Sequence, residues 1–135
     1  MRNVFYILLL LLMLPLAAAS AQSSSNRDNT LYGFGYATVF ADSVIYLTEI
    51  HELPSATLNS RTGFLHNRAE YSKQLKAYLE QQGISHPVCA IFFDKDKNKL
   101  TKKLNKIVDK TIKAKKFRMK SVLRDDFSFK EAVGD

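Results

Sequence analysis

The chain has 135 residues, with 20 lysines and arginines against 13 aspartates and glutamates, a formal net charge of +7 and a single cysteine. This length is typical of one domain, and a single cysteine excludes a disulfide bond within the chain. The excess of positive charge favours solubility and contact with anionic partners, but it carries no information about the fold.

The first 21 residues have the pattern of a secretory signal peptide. Arg2 supplies the positive start, a leucine-rich block follows, and Ala19 and Ala21 supply the small side chains that signal peptidase needs. A transmembrane anchor is the alternative interpretation, but a spanning helix needs about 20 apolar residues and this block is shorter. We therefore expect cleavage after Ala21 and export to the periplasm or the extracellular space.

The remaining chain divides by composition into three parts. Residues 22–30 are rich in serine and asparagine without apolar periodicity, which predicts a disordered linker. Residues 31–130 are expected to form a single small α/β domain, and residues 131–135 a disordered C-terminal tail. The chain after the signal peptide has no second apolar stretch long enough to span a membrane, so we expect a soluble protein.

An aromatic hairpin is predicted at the start of the domain. Aromatic and small residues alternate from Tyr32 to Phe40, and a β-branched and aromatic run follows from Val44 to Ile50. The short polar break between the two runs predicts an antiparallel pair of strands. These aromatic side chains either cover part of the core or dock on a partner. The candidate docking residues are Tyr32, Phe34, Tyr36, Phe40 and Tyr46.

Two helices and two further strands are predicted after the hairpin. Apolar periodicity predicts a helix over residues 64–82, with Gly83 as its C-terminal cap, and a second helix from residue 98 to about 113. The run from Val88 to Phe93 is apolar throughout, which predicts a strand in the interior of the sheet. Residues 117–123 alternate and follow a lysine-rich segment, which predicts a last strand at an edge. The buried stripe of the second helix is expected to be Leu100, Leu104, Ile107, Val108 and Thr111.

The predicted order is therefore β-β-α-β-α-β, an α/β fold on the borderline with α+β. Both strand-helix-strand connections are expected to be right-handed, which makes the last three strands parallel where they are adjacent. Two helices cover one face of a sheet well. We therefore expect a two-layer sandwich of a mixed four-stranded sheet, with the two helices mainly on one face.

The second helix carries an unusual concentration of lysine. Residues 95–120 contain eleven lysines and one arginine against two aspartates. Neighbouring like charges on a helix cost about 0.2–0.5 kcal/mol per pair, a cost that an anionic partner would relieve. A solvated helix face is the alternative interpretation. Lysine lacks the bidentate fork of arginine, so binding here should be diffuse and salt-sensitive. The candidate anion-binding residues are Lys99, Lys102, Lys103, Lys106, Lys110 and Lys113.

Three smaller features are assigned structural roles or left open. Glu49 and His51 lie two residues apart on a predicted strand and are expected to share a face, so they could form a general base or hold a metal, although a third partner is missing.

Asp94 and Asp96 begin like a calcium loop, but Lys99 stands where glycine is needed, so helix capping explains them better. Cys89 is expected to be a buried hydrophobe, with a redox-active or intermolecularly bridged thiol as the alternative.

Three functional hypotheses follow. The first is a non-enzymatic binding or interaction module of the cell envelope, which contacts an unknown protein or envelope component through the hairpin or the lysines. The second is a diffuse binder of polyanions or anionic surfaces through the lysine-rich helix. The third is a small hydrolase or metal-dependent enzyme that uses Glu49 and His51. No catalytic residue, cofactor or metal site is predicted, and export disfavours nucleic acid as the partner.

Overall fold

The computed structural model describes residues 29–133. The expected signal peptide, most of the expected linker and the last two residues lie outside this range, so the expectations about them stay predictions. Within residues 29–133, no helix has the length and apolar character that crossing a membrane requires.

A mixed sheet forms the centre of the domain, and β1 is its central strand. β1 pairs antiparallel with β4 along one side and with β2 and β3 along the other. β5 pairs parallel with β2. The order across the sheet is therefore β4, β1, β2 with β3, and β5, which confirms the predicted hairpin and the mixed sheet. The strands are β1 (Leu31–Val39), β2 (Val44–Thr48), β3 (His51–Leu53), β4 (Val88–Asp94) and β5 (Arg118–Val122).

A bulge divides the predicted second strand into β2 and β3. Residues 34–35 of β1 lie opposite residues 48–50 of the other strand, so the second strand carries one extra residue between the two paired segments. An extra residue of this kind defines a β-bulge and bends the strand. The buried N–H of Gly35 donates to Thr48 Oγ1 at 2.7 Å, which gives this donor a partner at the interruption.

The first helix, α1 (Arg68–Gln81), begins later than the apolar periodicity predicts. Asn67 has a left-handed backbone with φ of 57°, and Leu58 and Leu65 form an isolated β-bridge that holds the preceding residues out of the helix. At the other end Gly83 has φ of +83°, and its N–H donates to the Glu80 carbonyl at 3.0 Å. The predicted glycine cap is confirmed.

The second helix, α2 (Lys97–Ala114), is close to its predicted span. The Asp96 side chain accepts hydrogen bonds from the N–H groups of Asn98 and Lys99, which confirms the capping role predicted for this acidic segment. The predicted apolar stripe is confirmed too. Leu100 and Thr111 are buried, and the other three stripe residues are partly buried against the sheet.

The α/β class, the element order and the mixed sheet with two helices are all confirmed, but the placement of the helices differs from the prediction. α1 packs with Ala37 of β1, whereas α2 packs with Phe34. Residues of opposite parity point to opposite faces of a strand, so each helix covers its own face. The cause is the strand order. The chain crosses the sheet in one direction from β3 to β4 and in the other from β4 to β5, and right-handed connections in opposite directions fall on opposite faces.

The same strand order corrects the prediction for β4. Its apolar run suggested an interior strand, but among residues 29–133 β4 pairs only with β1 and therefore lies at an edge. Both helices pack against β4, so both of its faces are covered although one edge is not. Burial of both faces gives the same apolar sequence in either position. β5 lies at the opposite edge, as predicted.

The chain after β5 folds back over the α1 face of the sheet. Phe129 is buried in the core cluster that contains Tyr71 and Leu75, and Phe127 packs against it. Gln74 of α1 holds this segment by two hydrogen bonds to the Lys130 backbone, at 2.9 and 3.0 Å.

Candidate functional site

The lysine face is the exposed side of α2, defined by Lys99, Lys102, Lys103, Lys106, Lys110 and Lys113. All six side chains are exposed. At 100° per residue they fall within a sector of about 100° on one flank of the helix, which leaves the opposite flank to uncharged residues and Asp109. The sequence places the lysines on one helix, and the helix brings them into a single band about 21 Å long.

The positive charge of this face is not balanced locally. Among residues 29–133, none of the six lysines has a carboxylate oxygen within 4.0 Å, not even that of Asp109, which is on the same helix. The acidic groups at the start of α2 are already used: Asp96 caps the helix and Asp94 accepts from the Asp96 N–H at 2.8 Å. α1 differs, because its Lys73 pairs with Glu70 at 2.8 Å.

The lysine face borders the open edge of the sheet. The Lys103 Nζ lies 5.7 Å from the centroid of the Phe92 ring, which belongs to the edge strand β4. Lys99, Lys106 and Lys110 share this side of α2, because they lie three, four or seven residues from Lys103. We call these four residues the inner row. The sequence indicates a cationic helix, but only the fold shows that one of its lysines, Lys103, lies against the edge strand β4.

The structure does not bring the candidate docking residues of the hairpin together. Phe34 is fully buried and stacks on Phe92 at 5.0 Å between ring centroids, so it cannot touch a partner in this state. Tyr32 and Tyr36 are half-buried with the cluster under α2, whereas Tyr46 packs with the cluster under α1. Phe40, in the turn, is 68% exposed. These aromatic side chains mostly build the two halves of the core.

The bulge separates Glu49 from His51, contrary to the expectation that they share a face. The Glu49 carboxylate accepts the Arg124 N–H at 2.7 Å. His51 is 4% exposed, its ring packs edge-on against Phe129, and neither ring nitrogen has a hydrogen-bond partner among residues 29–133. Burial, with a smaller effect of the Arg124 charge, lowers the pKa of His51. The histidine–carboxylate pair is not formed in this structure. Within residues 29–133, no group of three or more His, Cys, Asp or Glu residues is arranged to hold a metal ion.

A crevice of about 380 Å³ opens beside His51 at the carboxyl ends of β3 and β4, where open α/β sheets often bind ligands. Two of its polar side chains make contacts within the protein itself. Arg124 donates to the Ile50 carbonyl at 2.7 Å, and the Lys97 Nζ lies 5.9 Å from the centroid of the Tyr32 ring. Glu52 adds an opposing charge to the wall. Arg124 thus holds the C-terminal segment against the bulge. The crevice is a weaker candidate for a binding site than the lysine face.

Cys89 lies on β4 and is half-buried, which is less than expected. Burial raises the pKa of its thiol to about 11, so the nucleophilic thiolate is scarce at neutral pH. This favours a packing role over a redox-active one.

The sequence does not reveal two parts of this site, the open edge of β4 and the position of the inner row beside it. The sequence contains no signal for the first, because right-handed connections fix the face on which each helix lies and not the order of the strands. Comparison of the chain with protein-family models, curated proteins and solved structures gives no significant match.

Proposed function

We propose that this protein is an exported, non-enzymatic binding module of the cell envelope, whose lysine face holds an acidic partner. The observation that carries the proposal is the lysine face itself, six exposed lysines with no carboxylate within 4.0 Å among residues 29–133. The leader-like pattern of residues 1–21 supports the proposed location.

The energetics support a ligand more than an idle surface. Each like-charge pair at helix spacing costs about 0.2–0.5 kcal/mol, and α2 contains several such pairs. Removing this repulsion requires only that an acidic group approach the band, so binding is favoured by charge before any specific contact forms. Because the lysines are exposed, this attraction is screened by salt over about 8–10 Å and should weaken steeply as ionic strength rises.

The test is a triple charge reversal, Lys102→Glu, Lys103→Glu and Lys106→Glu. The purified protein is applied to a polyglutamate matrix and eluted with a salt gradient. Because the reversal places acidic groups in the middle of the band, we expect retention at low salt to be abolished. The matched control is Lys116→Glu, Lys120→Glu and Lys130→Glu, which changes the net charge equally at exposed positions outside the lysine face.

The control variant should keep most of the retention of the parent protein. If both triple variants lose retention equally, net charge alone is responsible and the lysine face is not a binding site. If the first variant is retained as well as the parent protein, the proposal is wrong. Circular dichroism of each variant separates a loss of binding from a loss of fold.

A further inference from the structure

The far edge of β4 is unpaired in the described part of the chain. β4 is extended over residues 88–94 and pairs along one side with β1, and no other strand within residues 29–133 pairs with it. An extended strand with one unpaired side presents a row of N–H and C=O groups that can pair with another chain. Addition of a peptide strand to such an edge is a common mode of protein recognition.

The residues of β4 do not protect this edge. Proteins usually block an edge with lysine, proline or a short strand. β4 has the sequence VCAIFFD, which contains no lysine, arginine or proline. Val88 is 59% exposed, and Cys89, Phe92 and Phe93 are only half-buried. A chain that paired here would gain both backbone hydrogen bonds and apolar contact.

The charges beside the edge indicate what kind of chain fits. On the α2 side, Lys103 lies over the Phe92 ring of β4, and the inner row to which it belongs (Lys99, Lys103, Lys106 and Lys110) has steps of about 4.5–6 Å along the helix. Alternate side chains of an extended peptide are about 6.6 Å apart, a similar spacing. On the α1 side, Lys76 already has Glu80 at 4.0 Å. Among the described residues, unbalanced positive charge therefore remains on the α2 side of the edge.

We propose that the edge of β4 receives an extended peptide segment of the partner, with acidic side chains at alternate positions. The acidic side chains face the inner row, and the residues between them face Cys89 and Phe93 on the α1 side. This inference rests on the proposed function, since it specifies the acidic partner that the lysine face holds.

A second copy of the protein fits this edge less well. Two β4 strands that paired antiparallel would place both α2 helices on the same side of the joint sheet, because the symmetry axis runs perpendicular to it. The two inner rows would then face each other across the junction, and like charges opposed in this way disfavour association. An acidic segment meets the same row with opposite charge.

The test uses three peptides of about nine residues, long enough to pair along the whole of β4. The parent peptide alternates glutamate with valine or threonine. A second peptide is N-methylated at every glutamate, and a third at every valine and threonine. All three carry the same charge. Since alternate N–H groups of a strand point to opposite edges, only one of the two methylated sets faces β4.

We expect the parent peptide to bind at one site. One methylated peptide should bind at least about tenfold more weakly, because it cannot donate its hydrogen bonds to β4, and the other should bind like the parent. Affinities are measured by calorimetry. Amide hydrogen exchange measured alongside should show new protection in β4 and none in β5. The Lys102, Lys103 and Lys106 charge-reversal variant should bind none of the three.

The failures of the two proposals are distinguishable. If both methylated peptides bind as tightly as the parent peptide and charge reversal abolishes binding of all three, strand addition is wrong and the lysine face remains a binding site. If the β4 amides are already protected in a dimer of the free protein, a second copy occupies the edge and strand addition is wrong. If charge reversal leaves binding of the parent peptide unchanged, the proposed function fails as well.

Discussion

In the part of the chain that the structure describes, the two edge strands, β4 and β5, each pair on one side only, yet they are built from different residues. β5 has five residues, RMKSV, and its Arg118 and Lys120 are exposed. β4 has seven residues, and its only charged side chain is Asp94, at its end. Charged residues and short length discourage pairing with another chain. β5 therefore has the protection that natural sheets give to their edges, and β4 does not.

The two edges also differ in how the fold holds them. β4 packs against both helices, whereas β5 is held mainly by its parallel pairing with β2. The helices cover the two faces of β4 and leave its hydrogen-bonding edge free. This difference explains how an apolar strand can stay ordered at an edge, and why a partner strand would choose β4.

The largest expected effect comes from truncating a buried side chain of α1, the helix that packs against one face of β4. Leu75 of α1 is fully buried in the core cluster that also contains Ile91 of β4, and its Cδ2 would lie 2.6 Å from a Cβ built on Gly35 of β1. We expect Leu75→Ala to lower the free energy of unfolding by about 2–5 kcal/mol, because it leaves a cavity between α1 and the sheet. Urea denaturation measures this loss. Amide exchange should accelerate more in β4 than in β5.

The matched control for this prediction is Met119→Ala on β5, a partly buried position under α2. It should cost less stability and should loosen β5 more than β4. If Leu75→Ala accelerated exchange equally in both edge strands, the two edges would belong to one cooperative unit, and the difference in how they are held would have no consequence.

The elements of the fold could be predicted from the sequence because each depends on a local pattern. The apolar stripe of α2, the Asp96 cap and the Gly83 cap are set by neighbours within a turn or two of helix. The antiparallel hairpin follows from alternation and a short polar break in the same way. Each of these features was predicted close to its observed place.

The arrangement of the elements was less accessible, because it depends on contacts between distant parts of the chain. The residues of β4 show that both of its faces are covered, but not whether a strand or nothing lies along its far edge. The bulge after Thr48 is a shift of one residue, and it moves Glu49 and His51 out of the common face that spacing predicts. The lysine face was predicted from its residues, whereas its position beside an open edge was not.

The second prediction is a pH effect that begins at His51. This residue lies on β3, on the opposite side of β1 from β4. Burial lowers the pKa of His51, so the folded protein binds fewer protons than the unfolded chain just below the ordinary histidine pKa of about 6.5. Stability should therefore fall as the pH drops through this region. His51→Leu should remove this contribution and, because it also removes two unpartnered buried nitrogens, should stabilise the protein by about 1 kcal/mol at pH 7.

Denaturation at pH 5 and at pH 8 measures both effects. The exposed His66 is the control, since His66→Leu leaves His51 in place and should keep the pH dependence. Phe129, in the segment after β5, packs against the His51 ring. At the lower pH, nuclear magnetic resonance signals of Phe129 should therefore broaden before those of β4 change. If His51→Leu kept the pH dependence of the parent protein, another group would be responsible.

The smallest expected effect concerns a probe that β4 already contains. Burial raises the pKa of the Cys89 thiol to about 11, against about 8.5 in an unfolded chain. The scarcity of thiolate outweighs its greater intrinsic reactivity, so alkylation by iodoacetamide at pH 8 should be at least about tenfold slower in the folded protein than in urea. The parent acidic peptide should slow alkylation further, because the peptide would lie against the Cys89 side of β4.

The control is Ser121→Cys on β5 in a Cys89→Ala background, an exposed position whose alkylation should be faster and unaffected by the peptide. Equal protection of both thiols by the peptide would show that it does not distinguish the two edges.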